Sequence, residues 1–253
     1  MSTRAPSTLP RTGAEAARER PGRAIARGPG LSRQRYAFAV GAVVVVALVL
    51  RLYHLGAQSF WIDEISVARF VRSGHVLSDL RDRGGPFEPP LHFLSVFAAL
   101  WLPIGLESAA RVPAALAGVL EVLALVLLTR EATGRRAPAI VAGALLAVAP
   151  YAVRYSQEVR YYTMFSALAL LSWWLVLRAL RVRSRGAWAS YGVGIAALLL
   201  THPFAPLVML TQAGWIGARS WRARHVDPSE SGDTNVSGSG RGYVGALVLA
   251  AVL

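Results

Sequence analysis

The sequence predicts an all-α fold: a polytopic transmembrane helix bundle with an external loop bearing interfacial amphipathic helices. Three observations carry that prediction. Hydrophobic residues make up 54% of the chain, the mean hydropathy is +0.43, and uninterrupted apolar stretches recur at close to the ~20 residues that a spanning helix needs. Basic charge gathers beside those stretches. Arginine alone supplies it, 27 residues with no lysine and a formal net charge of +13, and this is the signature of membrane orientation rather than of nucleic-acid binding, for which no aromatic-interleaved basic face exists. With no cysteine in the chain, disulfides, thiolate metal sites and a cysteine nucleophile are excluded.

Residues 1–35 hold eight arginines and almost no large apolar group, a composition that predicts a disordered, cytoplasmic tail. Residues 36–52 then read as an uncleaved first transmembrane helix, since no Ala-x-Ala pattern follows them. The segment 53–90 balances four arginines against five acids, as expected of an external loop. Further apolar runs cover 91–106, 112–129, 137–151, 161–179, 187–201, 203–218 and 243–253, so that 36–218 forms one transmembrane module. Arg178, Arg181, Arg183 and Arg185 mark 178–185 as cytoplasmic, and Arg219, Arg222 and Arg224 mark the start of 219–242, a flexible Ser/Gly-rich loop. Arg130, Arg135 and Arg136 also look cytoplasmic. Strict alternation of every run cannot satisfy all of these loops, so one of the runs 91–106 or 112–129 is expected to be re-entrant or half-spanning. The apolar start at 243–253 reads as the first part of another helix, and the chain as part of a longer protein.

Carboxylates at a membrane face are uncommon and call for an explanation. Asp63 and Glu64 lie about ten residues past the first run, in a stretch, 61–73, that places Ile62, Ile65, Ala68 and Phe70 on one side of a helix and Asp63, Glu64, Ser66 and Arg69 on the other. The plain alternative is that the two acids cap that helix. Glu88 and His92 are held at the interface by Pro89-Pro90, where their spacing suits either a metal ligand pair or, as the simpler reading, solvated loop residues. In the segment 150–161, Arg154 and Arg160 offer planar guanidinium forks to a phosphate. Snorkelling explains interfacial Arg and Tyr equally well, but not Glu158 among them. His202 stands at a helix end on the same expected side, Arg111 is expected to pair locally with Glu107, and Glu121 to face the bundle interior.

Taken in order, Trp61-Ile62-Asp63-Glu64, Glu88-Pro89-Pro90-Leu91-His92, Arg111-Val112-Pro113-Ala114-Ala115-Leu116, Gly134-Arg135-Arg136-Ala137 and Tyr155-Ser156-Gln157-Glu158-Val159-Arg160-Tyr161-Tyr162 resemble the amino-terminal half of the GT-C membrane glycosyltransferases. The likeness covers about residues 36–218 and is nearest to glycosyltransferase family 39 and the bacterial mannosyltransferase-like group. It implies hexosyl or pentosyl transfer from a polyprenyl-phosphate sugar to a glycan, lipid or protein acceptor at the outer membrane face, with membrane lipid and no nucleic acid as the other expected contacts. By the same resemblance Asp63, with Glu64 beside it, matches the catalytic acid of the first external loop, and Glu158 and Arg160 the second external motif. Glu88, His92, Arg154, Tyr161 and His202 complete the expected substrate-binding set. It requires no cofactor and is compatible with a divalent metal ion, use of which varies among such enzymes. A transporter or lipid flippase, or an inactive fragment of a transferase, is the alternative. Transporters, however, tend to show repeated halves and midplane charges, whereas here no repeat is visible and the polar clusters lie at helix ends.

Overall fold

The computed structural model describes residues 31–73, 75–76, 78, 90–225 and 243; residues 1–30 of the tail expected over 1–35, Glu88, and most of 219–253 lie outside the described residues. Among the described residues the chain is helical and contains no strand. The elements are α1 (Arg33–Leu52), α2 (Ile62–Arg72), α3 (Pro90–Ala99), α4 (Leu106–Thr133), α5 (Arg136–Val148), α6 (Pro150–Tyr155), α7 (Tyr162–Val182), α8 (Arg185–Leu199) and α9 (Ala205–His225). Three of them, α1, α4 and α7, are long and apolar enough to cross a membrane.

The hub is α4, against which α1, α3, α5 and α7 all pack. Its buried face is cut from small residues, Ala109, Ala110, Ala114, Ala115, Ala117, Gly118 and Ala124, which let neighbouring backbones approach closely where lipid offers no hydrophobic drive between helices. The helix stops at Gly134, whose φ of 67° places it in the left-handed region that favours glycine and whose N–H closes on Arg130 O. By contrast α1 buries only Tyr36, Ala47 and Arg51 and turns Phe38, Val45 and Val49 outward, the lipid-facing pattern of a peripheral span. It is started by Ser32, whose hydroxyl accepts from Arg35 N at 3.3 Å.

The run 91–106 is not one continuous helix. Only Pro90–Ala99 is helical, about 15 Å of rise against a hydrocarbon core of ~30 Å, and Trp101–Gly105 turns the chain into α4, which starts six residues before the expected run and continues to Thr133. This half-length α3 resolves the arginine conflict. With α3 returning on its own side, α4 runs back to the end where α1 begins: Arg130 and Arg136 both lie over the Tyr36 ring, Arg136 donates to Leu31 O, and Arg181 of α7 binds Glu131 of α4. The arginine clusters at 130–136 and 178–185 therefore belong to one end of the bundle, and the polar motifs to the other. Lower in the fold, Tyr191 of α8 donates to Gln212 of α9 at 2.6 Å and Gln212 donates to Ser172 of α7 at 2.9 Å, so that three buried polar groups partner one another.

The amphipathic helix expected over 61–73 exists as α2, but its faces differ from the expectation. Glu64, Val67, Ala68 and Val71 point inward, whereas Ile62 is 71% exposed. An acid occupies the core-facing stripe because a buried arginine is waiting there for it.

Candidate active site

Two acids adjacent in sequence go to opposite environments. Consecutive helical positions diverge by about 100°, so that when α2 lays Val67 and Val71 against Val96 of α3, Ala110 of α4 and Val159, Glu64 enters the core and Asp63 stays at the rim, its side chain 40% exposed.

Glu64 is completely buried and fully engaged. Arg111 of α4 grips it with two bonds, Nε to Oε1 at 3.0 Å and Nη2 to Oε2 at 2.8 Å, Val159 N donates to Oε1 at 2.8 Å, and Trp61 N donates to Oε2 at 3.3 Å, capping α2. Arg111 spends its two Nη1 hydrogens on Leu55 O and Gln58 O, both at 2.9 Å, and its second Nη2 hydrogen on Ser59 O at 3.5 Å. The expected local pair with Glu107 is replaced by this long-range one. The capping contact is thus present at Glu64, and its carboxylate, with both oxygens hydrogen-bonded and no solvent access, joins α2, α4 and the loop 156–161.

Asp63 instead faces Arg160, with Oδ2 3.4 Å from Nη1. The Arg160 guanidinium lies over both Tyr161 and Tyr162, 5.3 and 5.2 Å from their ring centres, and Nη2 donates to Tyr162 Oη at 2.9 Å. Tyr162 was within the quoted motif but not singled out from it; a phenol next to an arginine was the available signal. Arg154 does not join this group. Its side chain is 77% exposed and pairs one helical turn along with Glu158 at 3.4 Å.

His92 and His202, 110 positions apart by their numbering, meet around Tyr161, edge-on at ring distances of 5.9 and 4.9 Å. The backbone secures the meeting, since Leu91 N at the start of α3 donates to Leu200 O at 3.0 Å. His92 is buried and its Nε2 has no hydrogen-bond partner; burial, aided by the nearby Arg160 charge, pulls the imidazole down to about 4, so the ring is neutral at physiological pH. His202 accepts from Phe204 N through Nδ1 at 3.0 Å, which leaves the proton on Nε2, and burial lowers its affinity for a second one.

Of the expected site residues, then, Asp63, His92, Arg160, Tyr161 and His202 come together at one end of the bundle, Arg154 and Glu158 sit beside them as their own pair, and Glu64 is buried behind. Glu88 lies outside the described residues. Among the described residues no group of three or more His, Asp or Glu side chains is gathered in metal-binding fashion. The acid, guanidinium, phenols and neutral imidazoles of this end suit a proton acceptor beside a phosphate and a polar, uncharged wall.

No curated protein gives a match to the chain. A family profile does: residues 88–227 match that of dolichyl-phosphate-mannose-protein mannosyltransferase, a stretch of more than half of the 253 residues that runs from just before α3 to just past α9. It takes in His92, Arg154, Glu158, Arg160, Tyr161 and His202, and starts after Asp63. The profile agrees with a helical bundle in which three of the described helices are long and apolar enough to cross a membrane, and the chain belongs to the dolichyl-phosphate-mannose-protein mannosyltransferase family of GT-C membrane glycosyltransferases.

Proposed function

We propose that this protein transfers a sugar from a polyprenyl-phosphate carrier to an acceptor hydroxyl at the outer face of the membrane, with Asp63 as general base and Arg160 as the carrier-phosphate contact. The 3.4 Å approach of Asp63 to Arg160 carries the reading, because it joins the first external motif to the second. In the reaction the acceptor oxygen forms a bond to the anomeric carbon as its proton passes to the Asp63 carboxylate. The carbon–oxygen bond to the phosphate breaks, and the electron pair leaves on the polyprenyl phosphate, where Arg160 stabilises it. Without substrate, Asp63 and Arg160 neutralise each other; a donor phosphate on Arg160 would release Asp63 toward the acceptor. Tyr161, His92 and His202 supply an uncharged aromatic wall for the sugar, while Glu64 and Arg111 position α2 and the loop.

The test is transfer by membranes carrying the protein expressed from its complete gene, measured against the concentration of polyprenyl-phosphate mannose. Arg160→Lys keeps the charge but loses the planar fork, and should weaken donor use by about 1–3 kcal/mol. Arg154→Lys, exposed and engaged elsewhere, should cost little. Greater damage from Arg154→Lys would move the phosphate site toward Pro150. Absence of transfer from polyprenyl-phosphate sugars in general would sink the reading.

The outer-face assignment rests on arginine, since the clusters at 130–136 and 178–185 share the end away from Asp63 and cytoplasmic loops carry excess arginine. Ser78 and Ser184 are both exposed. In this cysteine-free chain, Ser78→Cys should react with an impermeant thiol reagent on intact cells and Ser184→Cys only after permeabilisation. The opposite pattern would place the site on the inner face.

A further inference from the structure

The segment bearing Arg160 is fixed at its start by a second polar node, distinct from Glu64, at the outer end of α1. Gln157 Nε2 reaches Leu50 O at 3.1 Å and Arg51 O at 3.3 Å at the end of α1 and Tyr53 O at 2.9 Å at its C-cap, groups that a helix end leaves without internal partners. From the same turn of α1 the fully buried Arg51 extends its Nη1 to Ala147 O at 3.1 Å, near the end of α5. Between them stands Gly118 of α4. A Cβ there would lie 2.7 Å from Ser156 Cβ and 2.8 Å from Arg51 Cδ, and would collide with Arg51 Nε; glycine is what lets the arginine and the loop rest on α4 at one height. Ser156, also fully buried, bonds back to Val153 O at 2.6 Å.

The geometry points to Arg51, Gly118 and Gln157 as positioning residues for the reaction: they set where the loop 156–161 leaves α6, and through it the placement of Arg160 against Asp63. Gln157 holds the start of that loop and Glu64, through Val159 N, its middle. Arg160 follows directly after the second anchor. The hydrogen bonds of Arg51 and Gln157 go to backbone carbonyls of α1, its C-cap and α5 rather than to Asp63 or Arg160, so their influence passes through the backbone. The inference rests on the reading of Arg160 given above only for its kinetic consequence, not for its geometry.

The geometric test is a short thiol cross-linker applied to the full chain carrying Asp63→Cys and Arg160→Cys, with Glu131→Cys and Arg181→Cys as a control pair at the opposite end. Gly118→Ala crowds the aperture; Gln157→Leu keeps the bulk and removes the amide. Each should slow cross-linking of 63 to 160 by about tenfold or more, since displacements near 1 Å have effects of that order or larger on positioned groups, while the control pair reacts as in the parent. If Gly118→Ala fails to fold, the control reaction fails with it and Gln157→Leu decides. Unchanged cross-linking of 63 to 160 in a variant whose control pair reacts normally overturns the inference. In transfer assays both variants should raise the donor KM as Arg160→Lys does and add nothing further when combined with it, the non-additivity expected of residues acting through one group. Additive losses would overturn the link to Arg160. A parent protein without transferase activity refutes the reaction, and the cross-linking still decides the node.

Discussion

Replacing Arg111 with methionine should destabilise the protein by about 3–5 kcal/mol, the cost of removing one partner from a buried ion pair and leaving the other charge without compensation. Side-chain exposures of 5% for Arg111 and 1% for Glu64 leave water no route to replace the lost donors. Leu55 O and Gln58 O lose their partner in the same step, and the stacking on Phe60, with the guanidinium 5.4 Å from the ring centre, goes with it. Thermal unfolding in detergent or a graded denaturant series measures the effect. The informative comparison is the double variant Glu64→Met/Arg111→Met, which removes both charges and should regain part of the loss. It should not regain all, because Val159 N and Trp61 N donate to the same carboxylate. A loss below about 1 kcal/mol for Arg111→Met, the ordinary worth of an exposed pair, would mean that the contact is incidental and that α2 is held by its apolar face alone.

The pair also shows where sequence reading stops. The spans α1, α4 and α7 were legible because lipid rewards apolar length whatever lies next to it, and the break between α5 and α6 was legible because Pro150 cannot donate. The half-length α3 had a local signal as well, in Pro103 and Gly105 inside the run 91–106, but that signal alone did not choose between 91–106 and 112–129 as the half-spanning run. With the half length assigned to α3 rather than to α4, every arginine-rich end falls on one side and the conflict disappears. The inward face of α2 had no such signal. Its polar partners lie 47 and 95 positions away, and periodicity within 61–73 assigns any acid to the wet side. What alternation of hydrophobic and polar residues records is the average solvent, not a partner brought in by another helix.

Legibility of the site follows the same division. That Asp63, Arg160, Tyr161 and His202 share one end was readable from arginine placement in the connecting loops, which fixes the side of each helix end. Which of two neighbouring residues faces the rim or joins the cluster was not. Asp63 and Glu64 are chemically alike and separate only when the packing of Val67 and Val71 rotates one inward; Arg154 and Arg160 separate only because Arg154 has Glu158 one turn away. The contribution of Arg51 was invisible for a different reason. Set at the end of an apolar run, it resembles a snorkelling anchor, and only the opening at Gly118 turns it inward.

Asp63→Asn should lower the rate of sugar transfer by about 10²-fold or more, the scale on which a general base contributes, with Glu64 unable to substitute for it. Asparagine preserves the size of the side chain and a hydrogen-bonding oxygen toward Arg160, but no longer accepts the acceptor proton. The rim position of Asp63, with its side chain 40% exposed, makes the change inexpensive for folding, so thermal unfolding should be nearly unaltered. That separates it from Arg111→Met, whose loss lies in the fold. The kinetic pattern separates it from a phosphate-binding role: removing the carboxylate frees Arg160 from its 3.4 Å pairing, so the donor KM should hold or fall while kcat carries the loss. A 10²-fold drop corresponds to about 2.7 kcal/mol of transition-state stabilisation, far beyond what an exposed ion pair contributes, so loss of the Asp63–Arg160 contact alone cannot mimic it. Measured on initial rates with saturating polyprenyl-phosphate sugar and acceptor, turnover near that of the parent would remove Asp63 from the chemistry and leave its pairing with Arg160 as a latch on the loop.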